Sequence, residues 1–161
     1  MGLEIERKFL LRAAAWEARR RELEAKGTAG EAGVRYVQGY LSTDKKRTVR
    51  VRTLGERAFL TIKGATAGLA RREYEYEIPI AEARELLTEL CHHPLIEKTR
   101  YRIDYAGYTW DVDEFHGENK GLQIAEIELP FVDATFERPP WVGDEVSDDP
   151  RYFNANLGTH P

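Results

Sequence analysis

A single cysteine, Cys91, leaves this chain without an intrachain disulfide. A lone thiol with no Cys or His partner pattern is expected to be a small buried apolar group, so redox and zinc chemistry have no sequence basis. No stretch approaches the roughly 18 apolar residues of a membrane helix. The opening Met1-Gly2-Leu3-Glu4 carries charge at once and offers no apolar leader core. A cytoplasmic protein away from the membrane is expected. Charge of one sign is also lacking. With 24 Lys and Arg against 28 Asp and Glu, the formal net charge is −4. No bulk field draws nucleic acid or anionic lipid, so any anion site must come from local clustering. Phosphate-binding Gly-rich loops of the Walker type and the GxSxG elbow are missing as well.

What is there is charge at short range, in 161 residues that suit one domain spanning 1–161. Alternation and turn signals predict strands at residues 3–11, 34–42, 47–54, 57–63, 71–78, 97–105, 108–115 and 121–129. Short spacers such as Gly55-Glu56 and Ala106-Gly107 predict antiparallel hairpins. Helices are predicted at 13–26, rich in Ala, Glu and Arg, and at 80–91, with Leu86, Leu87 and Leu90 on one side. A turn is expected near 133–137, a last helical turn in 149–157 and a mobile loop at 27–33.

Residues i and i+2 of a strand share a face. Here one face is charged on strand after strand: Glu4, Glu6 and Lys8; Arg50 and Arg52; Lys63; Glu73, Glu75 and Glu77; Lys98, Arg100 and Arg102; Asp111 and Asp113; Glu126 and Glu128. The opposite faces carry Ile5 and Phe9, Val49 and Val51, Leu60 and Ile62, Tyr101 and Ile103, Trp110 and Val112, Ala125 and Ile127. An ordinary half-exposed sheet, apolar inside and tied by ion pairs outside, explains any one doublet. It explains the set less well, because some strands are purely acidic and others purely basic, and aligned like charges repel. The other reading turns the sheet inside out. Eight antiparallel strands close into a barrel whose lumen holds one small ligand. Its basic strands grip anionic oxygens, and its acidic doublets hold Mg²⁺ or Mn²⁺. A ligand that needs both halves is a metal–polyphosphate.

The motifs run in a recognisable order. Glu4-Ile5-Glu6-Arg7-Lys8 is an ExExK. It is followed by Gln38-Gly39-Tyr40-Leu41, the RxR of Arg50 and Arg52, and Lys63 in Thr-Ile-Lys-Gly. Then come Glu75 and Glu77, Lys98 and Arg100, Asp111 and Asp113, Glu126 and Glu128, and the tail Glu145 to Tyr152. This ordered set resembles the CYTH superfamily of triphosphate tunnel metalloenzymes over roughly residues 3–157. ExExK alone is weak, and the order is what is specific. The chain is similar to the short bacterial inorganic triphosphatases of that family. The resemblance implies a mainly β, α+β fold, with an eight-stranded closed antiparallel tunnel, a charged lumen and helices packed outside. It also implies hydrolysis of a small-molecule triphosphate with two divalent ions; with a net charge of only −4, no nucleic-acid partner is expected. A class IV adenylate cyclase, an organic triphosphatase and a non-catalytic polyphosphate-binding module share the same charge pattern.

Roles follow from that resemblance and from the needs of phosphoryl transfer, which is mostly positioning and charge neutralisation. Lys8, Arg50, Arg52, Lys63, Arg100 and Arg151 are expected on phosphate oxygens. Glu4, Glu6, Glu126 and Glu128 are the first metal ligands, with Asp111 and Asp113 behind them. Glu75 and Glu77 either hold metal or orient the arginines, and Glu73 is expected to be structural. The resemblance also implies a Lys98–Tyr40 pair near the scissile bond, with Tyr40 assisting proton transfer. Phe153 stands where some relatives carry a lysine, so only Arg151 is carried over from the tail. His92 and His93 read as helix capping, His116 and His160 as unpartnered, and Trp141 as a lid or core anchor.

Overall fold

A computed structural model of the chain describes residues 2–26 and 33–152. The elements run β1 (Gly2–Leu11), α1 (Ala13–Lys26), β2 (Val34–Ser42), β3 (Arg47–Leu54), β4 (Arg57–Gly64), β5 (Ala70–Ile78), α2 (Ile80–Glu89), β6 (Ile96–Tyr105), β7 (Tyr108–Phe115), β8 (Gln123–Glu128) and β9 (Val142–Glu145). Single 3-10 turns lie at Gly117–Asn119 and Pro150–Tyr152. The loop expected at 27–33 lies outside the described residues up to Gly33, as do Phe153, His160 and the end of the expected last helical turn.

Antiparallel neighbours follow the order β5-β4-β3-β2-β6-β7-β8-β1, and β1 returns to β5 through pairs from Gly2↔Glu73 to Ile5↔Ala70. The expected eight-stranded barrel is therefore closed. β1 closes it by dividing its length. Its first residues pair with β5, while Glu6 to Leu10 pair with β8 on the other edge. Past Ile5 the edge released by β5 is taken by β9, through Phe9↔Glu145 and Leu11↔Val142. This ninth strand escapes sequence reading, because Val142-Gly143-Asp144-Glu145 is too short and too acidic to show alternation. Gly143 is needed there: a Cβ would stand 3.1 Å from the Leu10 carbonyl oxygen.

Most of the core lies outside the barrel, while a smaller cluster of Tyr40, Ile96, Phe115 and Ile124 lies on the inner strand faces. Phe9, Trp110, Ile127 and Val112 point away from the lumen and are covered by Trp16 and Leu23 of α1 and by Ala134, Phe136 and Trp141 of the segment after β8. Edge-to-face ring contacts join Trp16 to Tyr101 at 5.4 Å, Trp16 to Trp141 at 5.5 Å and Trp110 to Phe136 at 5.8 Å. Trp141 is a core anchor. A second cluster lies under α2, where Ala83 and Leu87 meet Val51 and Ala58. Gly39 permits this approach, since a Cβ there would come within 2.8 Å of Leu95. α2 ends at Glu89, short of the expected residue 91, and Leu90 is left exposed rather than joining Leu86 and Leu87. The turn expected at 133–137 forms earlier, where the Ala134 amide donates to the Phe131 carbonyl. His116 is not unpartnered: its Nε2 stands 2.7 Å from Thr99 Oγ1. No helix among the described residues is long and apolar enough to cross a membrane.

An inside-out core makes a contrast that can be measured. Trp110→Ala removes a fully buried ring from the outer cluster and is expected to cost about 3–5 kcal/mol in denaturant unfolding. Tyr76→Ser, on an exposed outer-face residue, is expected to stay within about 0.5 kcal/mol. Equal costs would contradict this placement of the core.

Candidate active site

Strand pleat alone sends the charged alternate residues inward, and closure of the barrel brings them face to face. They enclose a cavity of about 510 Å³ lined by Glu4, Glu6, Lys8, Arg50, Arg52, Lys63, Arg100, Asp111, Glu126 and Glu128, with Tyr40, Glu73 and Glu75. Four expected residues do not line it: Lys98, Asp113, Glu77 and Arg151.

The walls are sorted by sign. β1, β7 and β8 form the acidic side. Register sets Glu6 opposite Glu128, and Glu126 opposite both Lys8 and Asp111. Crowding of carboxylates away from bulk water disfavours their ionisation together. Burial, then the neighbouring Glu126, pushes the Glu6 carboxyl up to about 8. Burial likewise raises Glu4, Asp111 and Glu128 above the ordinary carboxylate range. Glu126 takes the opposite course: burial works against it, yet Lys8, Arg100 and Lys98 hold it well below that range.

β3, β4 and β6 form the basic side. Lys63 Nζ lies 2.6 Å from Glu4 Oε1 and 3.5 Å from Glu73 Oε2, linking the two sides. Arg50 donates to Thr61 Oγ1 at 3.3 Å, and Thr61 donates in turn to Glu75 at 2.9 Å. Glu75 stands 3.4 Å from Arg52 and 3.9 Å from Arg50, so it sits as a counter-ion to this pair. The Nε atoms of Arg50 and Arg52 are buried with no hydrogen-bond partner. Burial, with Arg50 and Arg100 nearby, lowers the Arg52 guanidinium to about 10.

Asp113 lies directly across β6–β7 from Arg100 and is taken by it, with Arg100 Nε and Nη2 donating at 2.8 and 2.9 Å. Lys98 Nζ donates to the same carboxylate at 2.8 Å. All of Lys98 and Asp113 is buried. Burial opposes ionisation of Asp113, but Arg100 and Lys98 outweigh it and hold the carboxyl below its usual value. Lys98, lowered to about 7 mainly by burial, does not line the cavity and gives its hydrogen bond to Asp113. Tyr40 packs instead with Ile96, Phe115 and Ile124. Across β2 from Lys98 stands Tyr36, not Tyr40. Glu77 forms a two-bonded pair with Arg57 on the exposed surface, and Arg151 pairs with Asp149 there.

Several lining residues were missed, among them Tyr36, Arg71 and Lys45. Tyr36 and Arg71 share the inner faces of Tyr40 and Glu73, so their i, i+2 relation was readable. Arg71 donates to the Gly64 carbonyl at 2.7 Å and to Thr48 Oγ1 at 3.1 Å, both neutral acceptors. Lys45 comes from the β2–β3 loop, where no period exists to read.

The acidic side suits a divalent cation by donor chemistry, since hard oxygen ligands match Mg²⁺ and Mn²⁺. Asp111 Oδ1 is buried without a hydrogen bond, although Arg102 Nε stands 3.1 Å away. Among the described residues no three Asp, Glu, His or Cys side chains gather into a ready-made metal shell. Mg²⁺ needs none, because it commonly takes one or two carboxylates and completes its shell with phosphate oxygens and water.

The CYTH domain sequence pattern matches residues 2–153. This chain belongs to the CYTH domain family. An inorganic triphosphatase of Acetivibrio thermocellus is 49% identical to this CYTH domain over 161 residues, 100% of the chain and 96% of that protein. An inorganic triphosphatase of Nitrosomonas europaea is 37% identical over 124 residues, 74% of the chain and 81% of that protein. The crystal structure of an inorganic triphosphatase superposes on this CYTH domain with a TM-score of 0.61 at 32% identity, covering 96% of each chain.

The Glu6 environment predicts a pH effect on stability. A carboxyl raised from 4.5 to about 8 contributes stability that is present below 4.5 and lost as pH rises towards 8. Glu6→Gln keeps the neutral form at every pH. In excess chelator the variant is expected to melt several degrees above wild type at pH 8, with a much smaller gap at pH 5. A gap independent of pH would mean that Glu6 ionises normally.

Proposed function

We propose that this CYTH domain hydrolyses inorganic triphosphate to pyrophosphate and phosphate inside its tunnel, with Mg²⁺ or Mn²⁺. The observation that carries the reading is one closed lumen with a basic side facing an acidic side, a pairing that a metal–polyphosphate satisfies and a bare anion or cation does not. Lys8, Arg50, Arg52, Lys63 and Arg100 bind the phosphate oxygens, Arg50 and Arg52 through forked donors, Arg100 through the Nη1 that Asp113 leaves to it, and lysine as a point charge. Arg71, held by neutral acceptors, joins them. Glu4, Glu6, Glu126, Glu128 and Asp111 hold two divalent ions. Such ions neutralise phosphate charge and lower the pKa of water, supplying a nucleophile at neutral pH.

Asp113 serves this site from behind, fixing the Arg100 fork while Lys98 completes its charge balance. Lys98 therefore acts on the developing charge through the wall. Glu75 orients Arg50 and Arg52 and yields to phosphate on binding. Arg151 stays on the surface with Asp149 and takes no part in this arrangement. Among the described residues the lining aromatics are Tyr36 and Tyr40, and no pair of these rings stands free to clasp a nucleobase or thiazolium. That favours an inorganic substrate over an organic triphosphate or a cyclase reaction.

Phosphate release from tripolyphosphate, ATP and thiamine triphosphate tests the substrate. Tripolyphosphate is expected to be hydrolysed at least tenfold more efficiently than the others, with activity lost in excess chelator and restored by Mg²⁺ or Mn²⁺. Full turnover in chelator, or preference for an organic triphosphate, would refute the proposal.

Roles within the basic side separate by kinetics. Arg52 grips phosphate before and during reaction, so Arg52→Ala is expected to raise KM at least tenfold with little change in kcat. Lys98→Met keeps the stem but removes a charge one layer behind the lumen. Its kcat is expected to fall roughly tenfold, less than the ~10²–10³-fold loss of a directly contacting donor. Unchanged kcat in Lys98→Met would remove Lys98 from the chemistry.

A further inference from the structure

The cations of the basic side crowd one aromatic ring. Tyr36 is almost fully buried at the lumen wall. The guanidinium carbon of Arg52 lies 5.1 Å from its ring centroid, that of Arg100 lies 5.2 Å away, and Lys98 Nζ lies 5.9 Å away. These cations come from both flanking strands, Arg52 from β3 and the other two from β6. Arg52 has little else to hold it. Its carboxylate contact, Glu75, is long at 3.4 Å, and its buried Nε has no hydrogen-bond partner.

We propose that Tyr36 is a positioning residue for triphosphate binding, its ring holding the Arg52 fork beside Arg100, which Asp113 already fixes, at the spacing that receives phosphate. The inference rests on the triphosphate-binding reading above. Two like-charged guanidiniums in an enclosed lumen repel and need compensation. A carboxylate supplies it but then competes with phosphate for the same donors, and in the bound state its negative charge repels the substrate. The face of an aromatic ring attracts cations through its quadrupole, without net charge and without occupying N–H donors. The ring therefore steadies Arg52 against the neighbouring Arg100 while leaving the Arg52 fork to the ligand. A ring whose surroundings are already taken by cations also offers no platform for a base.

Three substitutions at position 36 test this on the full chain, with steady-state kinetics on tripolyphosphate and Mg²⁺ and calorimetric binding of tripolyphosphate in chelator. Tyr36→Leu is expected to raise KM about tenfold, equivalent to about 1.4 kcal/mol, with kcat within about threefold of wild type. Tyr36→Phe is expected to recover most of the lost affinity, since the ring and not the hydroxyl acts. Phenylalanine fluorinated on the ring at this position keeps shape and weakens the quadrupole, so KM is expected to climb with each added fluorine. The fluorinated series decides the matter even where Tyr36→Leu fails to fold. A KM indifferent to fluorination, a wild-type KM in folded Tyr36→Leu, or a loss confined to kcat overturns the positioning role. Wild type that neither binds nor hydrolyses tripolyphosphate overturns the proposed function, and this inference with it.

Discussion

Charges that line an enclosed lumen cannot be hydrated as they would be on an open surface, and every other feature of this protein answers to that constraint. Desolvation penalises each ionised group, and only an opposite charge or a hydrogen bond offsets the penalty. The sorting of the walls makes the demand unequal. Along the acidic side burial, with Glu6 facing Glu128 and Asp111 facing Glu126, drives several carboxyls towards the neutral form. On the basic side Arg50, Arg52 and Arg100 lie close enough for the other two to depress Arg52. Each side is imperfectly satisfied by the protein alone, which is the physical state expected of a binding site.

A barrel interior given largely to charge holds only a small apolar cluster, Ile96, Phe115 and Ile124 around Tyr40, so most of the stability has to be built on the outer wall. The aromatic cluster under α1 and the aliphatic cluster under α2 do this. Their separation from the lumen has a functional consequence. Packing is anchored away from the charges, and the lumen side chains need only satisfy each other and a ligand. β9 extends the same arrangement: it caps the free half of β1 and brings Glu145 to Arg7, an outward-facing cation that also stands 5.0 Å from the Phe136 ring.

Partners supplied by the wall show how the site is kept ready. Asp113 is spent on Arg100 and Lys98, and Glu75 is shared between two arginines. Carboxylates on this fold therefore divide into two kinds. Glu6, Glu126 and Glu128, set opposite other carboxylates, suit a cation, whereas Asp113 across from Arg100 and Glu75 between Arg50 and Arg52 orient arginines. Tyr36 adds a third means of compensation, neutral and non-competing, where the arginines of two strands converge.

The division between sequence and structure follows from the range of the forces. Strand alternation is local, so the eight barrel strands, both helices and the charged face were legible, and with them Glu4, Glu6, Arg50, Arg52, Lys63, Glu126 and Glu128 as residues of one surface. The ordered motifs added the closure of that surface into a tunnel. What pairs with what is set by register between strands distant in the chain, and no local pattern carries it. Asp111 and Asp113 look alike as an i, i+2 doublet, yet Asp113 is sealed by Arg100 and Lys98 while Asp111 stays on the lumen. Lys98 was expected beside Tyr40, but β2–β6 pairing sets it opposite Tyr36. Glu77 shares the inner alternation of Glu73 and Glu75, yet Arg57 holds it at the surface. The chain by itself determined which residues share a face, because the pleat has a period of two. Only the tertiary structure decided which of them see the cavity, because that depends on the neighbour each strand finds.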